Sequence, residues 1–365
     1  MTTPSSSRSG ADRCPGLLAP FVSADGAMVR LRLPGGRVDA STLAEISSLA
    51  TRFGEPDITL TSRASLQLRG LPEPLPRELV AAIGDLGLVP SGEHDKARNI
   101  VADPDPALDD LVARLDAALL ADPVLAGLPG RFLLAVARPG GAVLGEPWDV
   151  AVVDEGGSAR VVVDGRCVVV PRVDAATSAL EVARRFLAAR PDRRTWNVRD
   201  LAAGARAALL AGGAPFVVGA DEPPAPGPLG EDLVALVPLG LLTPGMVHVL
   251  RGSLTITPWR SLVLRAGAGR ARELADAGFV ISRTSPWTLL SACAGAPACA
   301  RTTTPTRDLA RAAAALLDPT GPPVHVIGCE RACGHPARPH ATCLDPTSAA
   351  DIVAAQHHPR DEKDA

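Results

Sequence analysis

The sequence predicts an α+β fold: a small module present in two tandem copies, each trailed by a larger α/β unit. Three observations predict it. The first is element order. "GAMVRLRLPGGRVDASTLAEISSLATRFG" reads as a strand, a Pro-Gly-Gly turn and an amphipathic helix with Leu43, Ile46, Leu49 and Ala50 on one face. "DITLTSRASLQLRG" and "ELVAAIGDLGL" then add two strands and a helix, the order of a module with an antiparallel sheet. The second is repetition. ITLTSRASLQLRG (58–70) aligns without a gap to LTITPWRSLVLRA (254–266), with Thr59/Thr255, Thr61/Thr257, Ser65/Ser261, Leu66/Leu262, Leu68/Leu264 and Arg69/Arg265 identical. The third is a longer stretch of mixed pattern after each copy. "LDDLVARLDAALL", "RFLLAVA", "WDVAVVD", "ARVVVDGRCVVVP" and "TSALEVARRFLAA" read as helix, three strand regions and helix; "TRDLARAAAALL" and "PVHVIGC" read as helix and strand.

The expected layout is a tail over 1–13, a first module over 14–95 and a first α/β unit over 96–220. The Pro-rich "DEPPAPGPLGED" (221–232) is the linker, and beyond it come a second module over 233–285, a cysteine-bearing α/β unit over 286–355 and a tail over 356–365.

With 365 residues, 46% of them hydrophobic, the chain can bury sizeable cores. A net charge of −3 gives no argument for nucleic acid or a membrane surface. The N-terminal "MTTPSSSRSGADR" lacks the apolar core of a secretory signal, and no apolar run reaches membrane-spanning length. The expected location is the cytoplasm, where thiols stay reduced and clustered cysteines point to metal or redox chemistry. Lysine occurs only at Lys96 and Lys363. A GC-rich coding sequence accounts for the arginines as a class but not for where each one falls. Arginine binds carboxylates in a planar fork.

Four of the seven cysteines occupy two short pieces, "SACAGAPACA" and "VIGCERACGHP". Cys293 and Cys299 are spaced C-x5-C among small residues; Cys329 and Cys333 are spaced C-x3-C after an apolar strand. Four thiolates are what a 4Fe–4S cluster needs, and small neighbours let the backbone approach it. Zinc sites favour tighter pairs, C-x2-C to C-x4-C, and inert core thiols are the plain alternative. Cys167 reads as strand core, Cys14 lies near the tail, and Cys343 lies in a loop with His335 and His340.

The C-x5-C and C-x3-C pair about thirty residues apart resembles the signature of the sirohaem-dependent sulfite and nitrite reductases. "TSRASLQLRG" is similar to that family's tetrapyrrole-lining segment, and "ARNI" (97–100) to its Arg-Asn element. The resemblance covers most of 14–350. It implies a sulfite/nitrite reductase-like fold with ferredoxin-like half modules, and a last cysteine that bridges the cluster to a haem-like iron. The sulfite reductases of this family present two lysines to their anionic substrate. Here the matching stretch, "LPGRFLLAVA" (128–137), has Arg131 and Leu133 at those places.

A closer resemblance is to the precorrin-3B synthase branch. It rests on "CPG" (14–16), "DGAMVRLRLPGGR", "SRASLQLRG", "TPWR" and "ACAGAPACA", where Ala294 replaces a common proline and Arg331 a common lysine. This branch implies a monooxygenase. With O2 and an unidentified electron donor, it would hydroxylate precorrin-3A and close a γ-lactone, for cobalamin synthesis. The resemblance implies Cys293, Cys299, Cys329 and Cys333 as cluster ligands. It also implies Arg63, Gln67, Arg69, Arg98, Asn99 and Arg131 at tetrapyrrole carboxylates, with Arg260 and Arg265 as weaker candidates. A further iron is expected in a mononuclear site, less so in a sirohaem, because the substrate would fill the tetrapyrrole cavity. No acid or base stands out as catalytic. The alternatives are a sirohaem sulfite or nitrite reductase and a non-catalytic iron–sulfur redox sensor.

Overall fold

The structure, a computed structural model, describes residues 12–357. The expected tails lie for the most part outside that range. Two compact units form, and they do not keep to chain order. One holds the described residues through Phe21, Arg30–Gly36 and Gly84–Pro223; the other holds Val22–Val29, Arg37–Ile83 and the described residues from Pro224 onward.

The second unit contains most of both copies of the module. The first copy's sheet runs Phe21–Ser23, Gly26–Leu31, Leu66–Leu71, Ile58–Leu60, Leu241–Leu242; the second runs Gly227–Leu229, Asp232–Leu236, Ser261–Leu264, Ser253–Ile256, Arg37–Asp39. The orders correspond strand for strand, and each sheet takes its fifth strand from the other copy. Leu241 and Leu242 pair with Thr59 and Ile58, while Arg37, Val38 and Asp39 pair with Thr255, Leu254 and Ser253. This exchange covers one edge of each sheet with backbone partners, and it ties the first module to the second. Both donated strands come straight after the same turn. Pro34-Gly35-Gly36 and Pro238-Leu239-Gly240 are single 3-10 turns whose last two residues have positive φ: 62° and 73° in the first, 54° and 71° in the second.

The repeated hairpins share their closing bonds. Thr61 donates its N–H to Ser65 O at 3.0 Å, and its Oγ1 accepts from Ser65 N at 3.2 Å. Thr257 does the same with Ser261, at 2.9 and 3.3 Å. Ala64 and Arg260, at equivalent places, both turn left-handed (φ 52° and 59°), as do Gly70 and Ala266 (65° and 49°).

The same unit carries a three-stranded parallel sheet, Leu290–Ala292, Val324–Ile327, Ala341–Leu344, packed against helices Thr306–Ala313 and Ala349–His357. Its core gathers Leu290, Ala310, Ala313, Val324, Val326 and Ile352.

The other unit is built on a six-stranded mixed sheet, Ala214–Pro215, Arg166–Pro171, Ser158–Val163, Val150–Asp154, Leu134–Ala137, Ile100–Ala102. Helices Asp109–Leu120 and Ala175–Ala189 bury their apolar faces here, and the Phe132 and Phe186 rings meet at 4.8 Å. No helix among the described residues is long and apolar enough to cross a membrane.

Candidate functional site

Strand placement sets the positions of the cysteines. Leu290–Ala292 and Val324–Ile327 are adjacent and parallel, and Cys293 and Cys329 lie just past their carboxyl ends. Loops at that end of parallel strands are where such sheets form their sites. Cys293 N donates to Val326 O at 2.9 Å, so the first loop starts in register with the second strand. The loop then folds tightly. Ala296 N donates to Thr304 O and Cys299 N to Gly295 O, both at 2.8 Å. Gly295 has φ +63°, and a Cβ there would stand 2.3 Å from Thr306 Oγ1 and 2.7 Å from its backbone nitrogen. Thr306, the first residue of the helix Thr306–Ala313, donates its hydroxyl to Cys293 O at 2.9 Å and lies 3.6 Å from Cys293 Sγ. In the second loop Ala332 N donates to Cys329 O at 3.2 Å.

All four thiols are free, and Cys333 is exposed. Partial desolvation of this otherwise exposed residue pushes the Cys333 thiol up, Arg331 draws it down, and Cys293, Cys329 and Cys299 push it up again. The two loops thus bring the four sulfurs within electrostatic reach of each other. Among the described residues no group of three or more His, Cys, Asp or Glu side chains is already converged as a metal cage. The donor set still fits a 4Fe–4S cluster: four unpaired thiols, two from each of two loops, at one end of one sheet.

Each hairpin sends an arginine to one cysteine loop. In the strand Leu66–Leu71, Leu66 and Leu68 face the core, and Gln67 and Arg69 face the other side, over Met28. Arg69 forks onto Asp25 at 2.8 and 3.0 Å, and its Nη2 donates to Ala298 O at 2.8 Å, between Cys293 and Cys299. Ser23 Oγ donates to the same carbonyl at 2.8 Å. From the second hairpin, Arg260 Nη2 donates to Gly334 O, next to Cys333. Arg265 pairs with Asp232 at 3.1 Å.

The other residues implied by the resemblance are spread more widely. Arg63 sits in the first hairpin turn, its N–H on Thr61 Oγ1 at 3.3 Å. Arg98 is buried, forked onto Asp116 at 2.8 Å with Nη1 on Leu88 O at 2.7 Å. Asn99 is buried: it accepts from Arg32 Nε at 2.9 Å and donates to Lys96 O and Gly130 O. Arg131 is exposed, its guanidinium 5.1 Å from the Trp196 ring centre. The structure therefore brings Arg63, Gln67, Arg69 and the four cysteines into one unit, and Arg98, Asn99 and Arg131 into the other. Arg69, Arg98 and Asn99 have their polar atoms engaged inside the protein.

Cys167 lies buried in the strand Arg166–Pro171. Cys343 is in the strand Ala341–Leu344 rather than a loop, and its Sγ donates to Asp351 O at 3.6 Å. Cys14 Sγ accepts from Arg30 Nη1 at 3.9 Å.

Two residues near the cysteines belong to no motif in the sequence. Arg307 comes directly after Thr306. Burial lowers its pKa, Arg69 lowers it further, and Glu55 and Cys293 oppose this; its Nε has no hydrogen-bond partner. His325 is fully buried with Nδ1 2.8 Å from Ser291 Oγ, and burial, then Arg260 and His340, hold its pKa down to about 3. Its place between Val324 and Val326 is the available signal. A polar residue inside an apolar run points to an interior partner.

Comparison with known proteins bears on the fold. Residues 22–84 match the nitrite/sulfite reductase ferredoxin-like half domain. An 86-residue stretch is 43% identical to a precorrin-3B synthase from Sinorhizobium sp.; the match spans 23% of this chain and only 18% of that relative. The structure is similar to that of the NirA protein of Mycobacterium tuberculosis, with a TM-score of 0.59 and 17% identity over 85% of this chain and 69% of that one. Residues 22–84 thus carry a nitrite/sulfite reductase ferredoxin-like half domain, and the fold of the chain is similar to that of NirA.

Proposed function

We propose that this chain is an iron–sulfur oxidoreductase of the precorrin-3B synthase type, acting in the cytoplasm on precorrin-3A. O2, two electrons and two protons enter the reaction. One oxygen atom goes to the meso carbon between rings A and D, the other leaves as water, and a ring A acetate closes the γ-lactone. A 4Fe–4S cluster held by Cys293, Cys299, Cys329 and Cys333 would supply the electrons one at a time. A further mononuclear iron remains part of this reading, and sirohaem is the less favoured form.

One observation carries the choice. The position that the resemblance gives to the second substrate-facing lysine is Leu133, which is 1% exposed and sits in the core. Oxyanion reduction calls for concentrated positive charge at the reacting centre, whereas O2 is neutral. The stretch shared with a precorrin-3B synthase supports the same choice.

In this reading the chain's own residues divide into two kinds. Arg69 and Arg260 grip the cysteine loops, while Arg98 and Asn99 brace the sheet end beside Arg32. Arg63, Gln67 and Arg131 are the candidates for meeting substrate carboxylates.

Aerobic incubation with precorrin-3A, a reductant and 18O2 tests the proposal. A product heavier by one labelled oxygen is expected. Unchanged precorrin-3A with the cluster intact would overturn it. Sulfite or nitrite reduction with a sirohaem absorption band would establish the reductase reading, which the fold of NirA keeps second.

A further inference from the structure

Residues 190–200, "RPDRRTWNVRD", place four arginines and a tryptophan in eleven positions, and no part of the site above uses them. The loop is held in shape by carboxylates that bind its backbone. Asp192 Oδ1 accepts from Arg194 N at 2.8 Å and Thr195 N at 3.2 Å. Asp200 Oδ2 accepts from Trp196 N at 2.9 Å and Asn197 N at 3.0 Å. Asp149, itself buried, accepts from Val198 N at 2.7 Å and Asn197 Nδ2 at 3.0 Å. Asn197 Nδ2 also donates to Arg131 O at 2.9 Å, which joins Arg131 to the loop. Asp192 and Asp200 thus each hold the loop's backbone, Arg199 Nη2 donates to Asn197 Oδ1 at 3.4 Å, and Arg131, Arg193, Arg194 and Arg199 are exposed. The Arg131 guanidinium lies over the half-buried Trp196 ring, 5.1 Å from its centre, and the ring Nε1 is anchored on Arg193 O at 3.1 Å.

We infer that this loop, with Arg131, is a binding surface for a planar molecule carrying several carboxylates. Exposed arginines recognise such a ligand by forked ion pairs at its rim, and a guanidinium already held over an indole can stack on its plane. The ligand class rests on the tetrapyrrole reading above. The rigid backbone matters: the cations are presented by a loop already ordered, so binding does not have to order it.

The test uses the full chain and uroporphyrin III, an octacarboxylate, in a fluorescence titration at low and at physiological salt. Arg193→Gln with Arg194→Gln is expected to weaken binding at least tenfold and flatten its salt dependence, and Trp196→Phe to weaken it less. The uroporphyrin octamethyl ester should bind far more weakly than the acid. Equal binding by the double variant, with loss on Arg63→Gln, would overturn this surface while leaving the tetrapyrrole reading in place. A wild-type chain that ignores uroporphyrin, or that binds single-stranded oligonucleotide instead, would overturn both.

Discussion

The hairpins at 61–65 and 257–261 close with the same Thr–Ser bonds and the same left-handed turn residue, yet they reach the cysteines differently. The first uses a strand residue, Arg69, which is 5% exposed, paired to Asp25, whose side chain is 9% exposed, and bonded to Ala298 O. Its equivalent in the second, Arg265, is partly exposed and pairs with Asp232; the second hairpin instead reaches the Cys333 loop from its turn, through Arg260. Duplication preserved the backbone device and let the side chains diverge. What the hairpins share maintains the fold, and what differs between them concerns the cysteine loops.

Substitutions at equivalent positions sharpen this contrast. Arg69→Gln leaves the largely buried Asp25 side chain without its cation, and should cost about 3–5 kcal/mol in urea unfolding and lower the iron retained per chain. Arg265→Gln removes a partly exposed pair and should cost under about 1 kcal/mol with iron unchanged. Similar losses at both sites would break the comparison.

The shared Thr–Ser device should matter in both copies, and more where it is buried. Thr257 is 0% exposed, and its Oγ1 lies 2.7 Å from Ser261 Oγ. Thr257→Val should therefore cost about 1–3 kcal/mol, and Thr61→Val about 1 kcal/mol. Thermal unfolding of the two variants in parallel reads the difference.

A further contrast concerns the left-handed residue near the end of each hairpin's second strand. Gly70→Ala would place a Cβ 2.9 Å from Glu55 Cγ and 3.1 Å from Glu55 N at φ +65°, a loss of about 1–2 kcal/mol. Ala266→Gly relieves the same backbone strain at φ 49° and should stabilise by about 1 kcal/mol or less. A destabilised Ala266→Gly variant would show that the two turns are not energetically equivalent.

The repeat was legible because Thr61, Ser65, Leu66 and Leu68 do the same jobs as Thr257, Ser261, Leu262 and Leu264. The exchanged edge strands were not. Arg37–Asp39 and Leu241–Leu242 are three and two residues long, too short for an alternation to register, and their partners lie in the other copy. The cysteine spacing offered a candidate ligand set, since type and separation carry that chemistry, and the structure places the four residues in two loops at one end of one sheet. The arginines were legible as residues but not as partners. Nothing in "QLRG" or "ARNI" tells that Arg69 meets Asp25 or that Arg98 meets Asp116, because those carboxylates come from elsewhere in the chain. Arg307 stayed hidden for the same reason.

The central claim, that the two loops between them hold one iron–sulfur cluster, is tested most directly by anaerobic purification with iron and sulfide analysis and electron paramagnetic resonance of the reduced protein. The prediction is iron and acid-labile sulfide in equal amounts, about four of each per chain, with a reduced-cluster signal that is lost in Cys293→Ser and in Cys329→Ser alike. Stoichiometric zinc without sulfide, or a cluster that survives loss of either loop's cysteines, would contradict it.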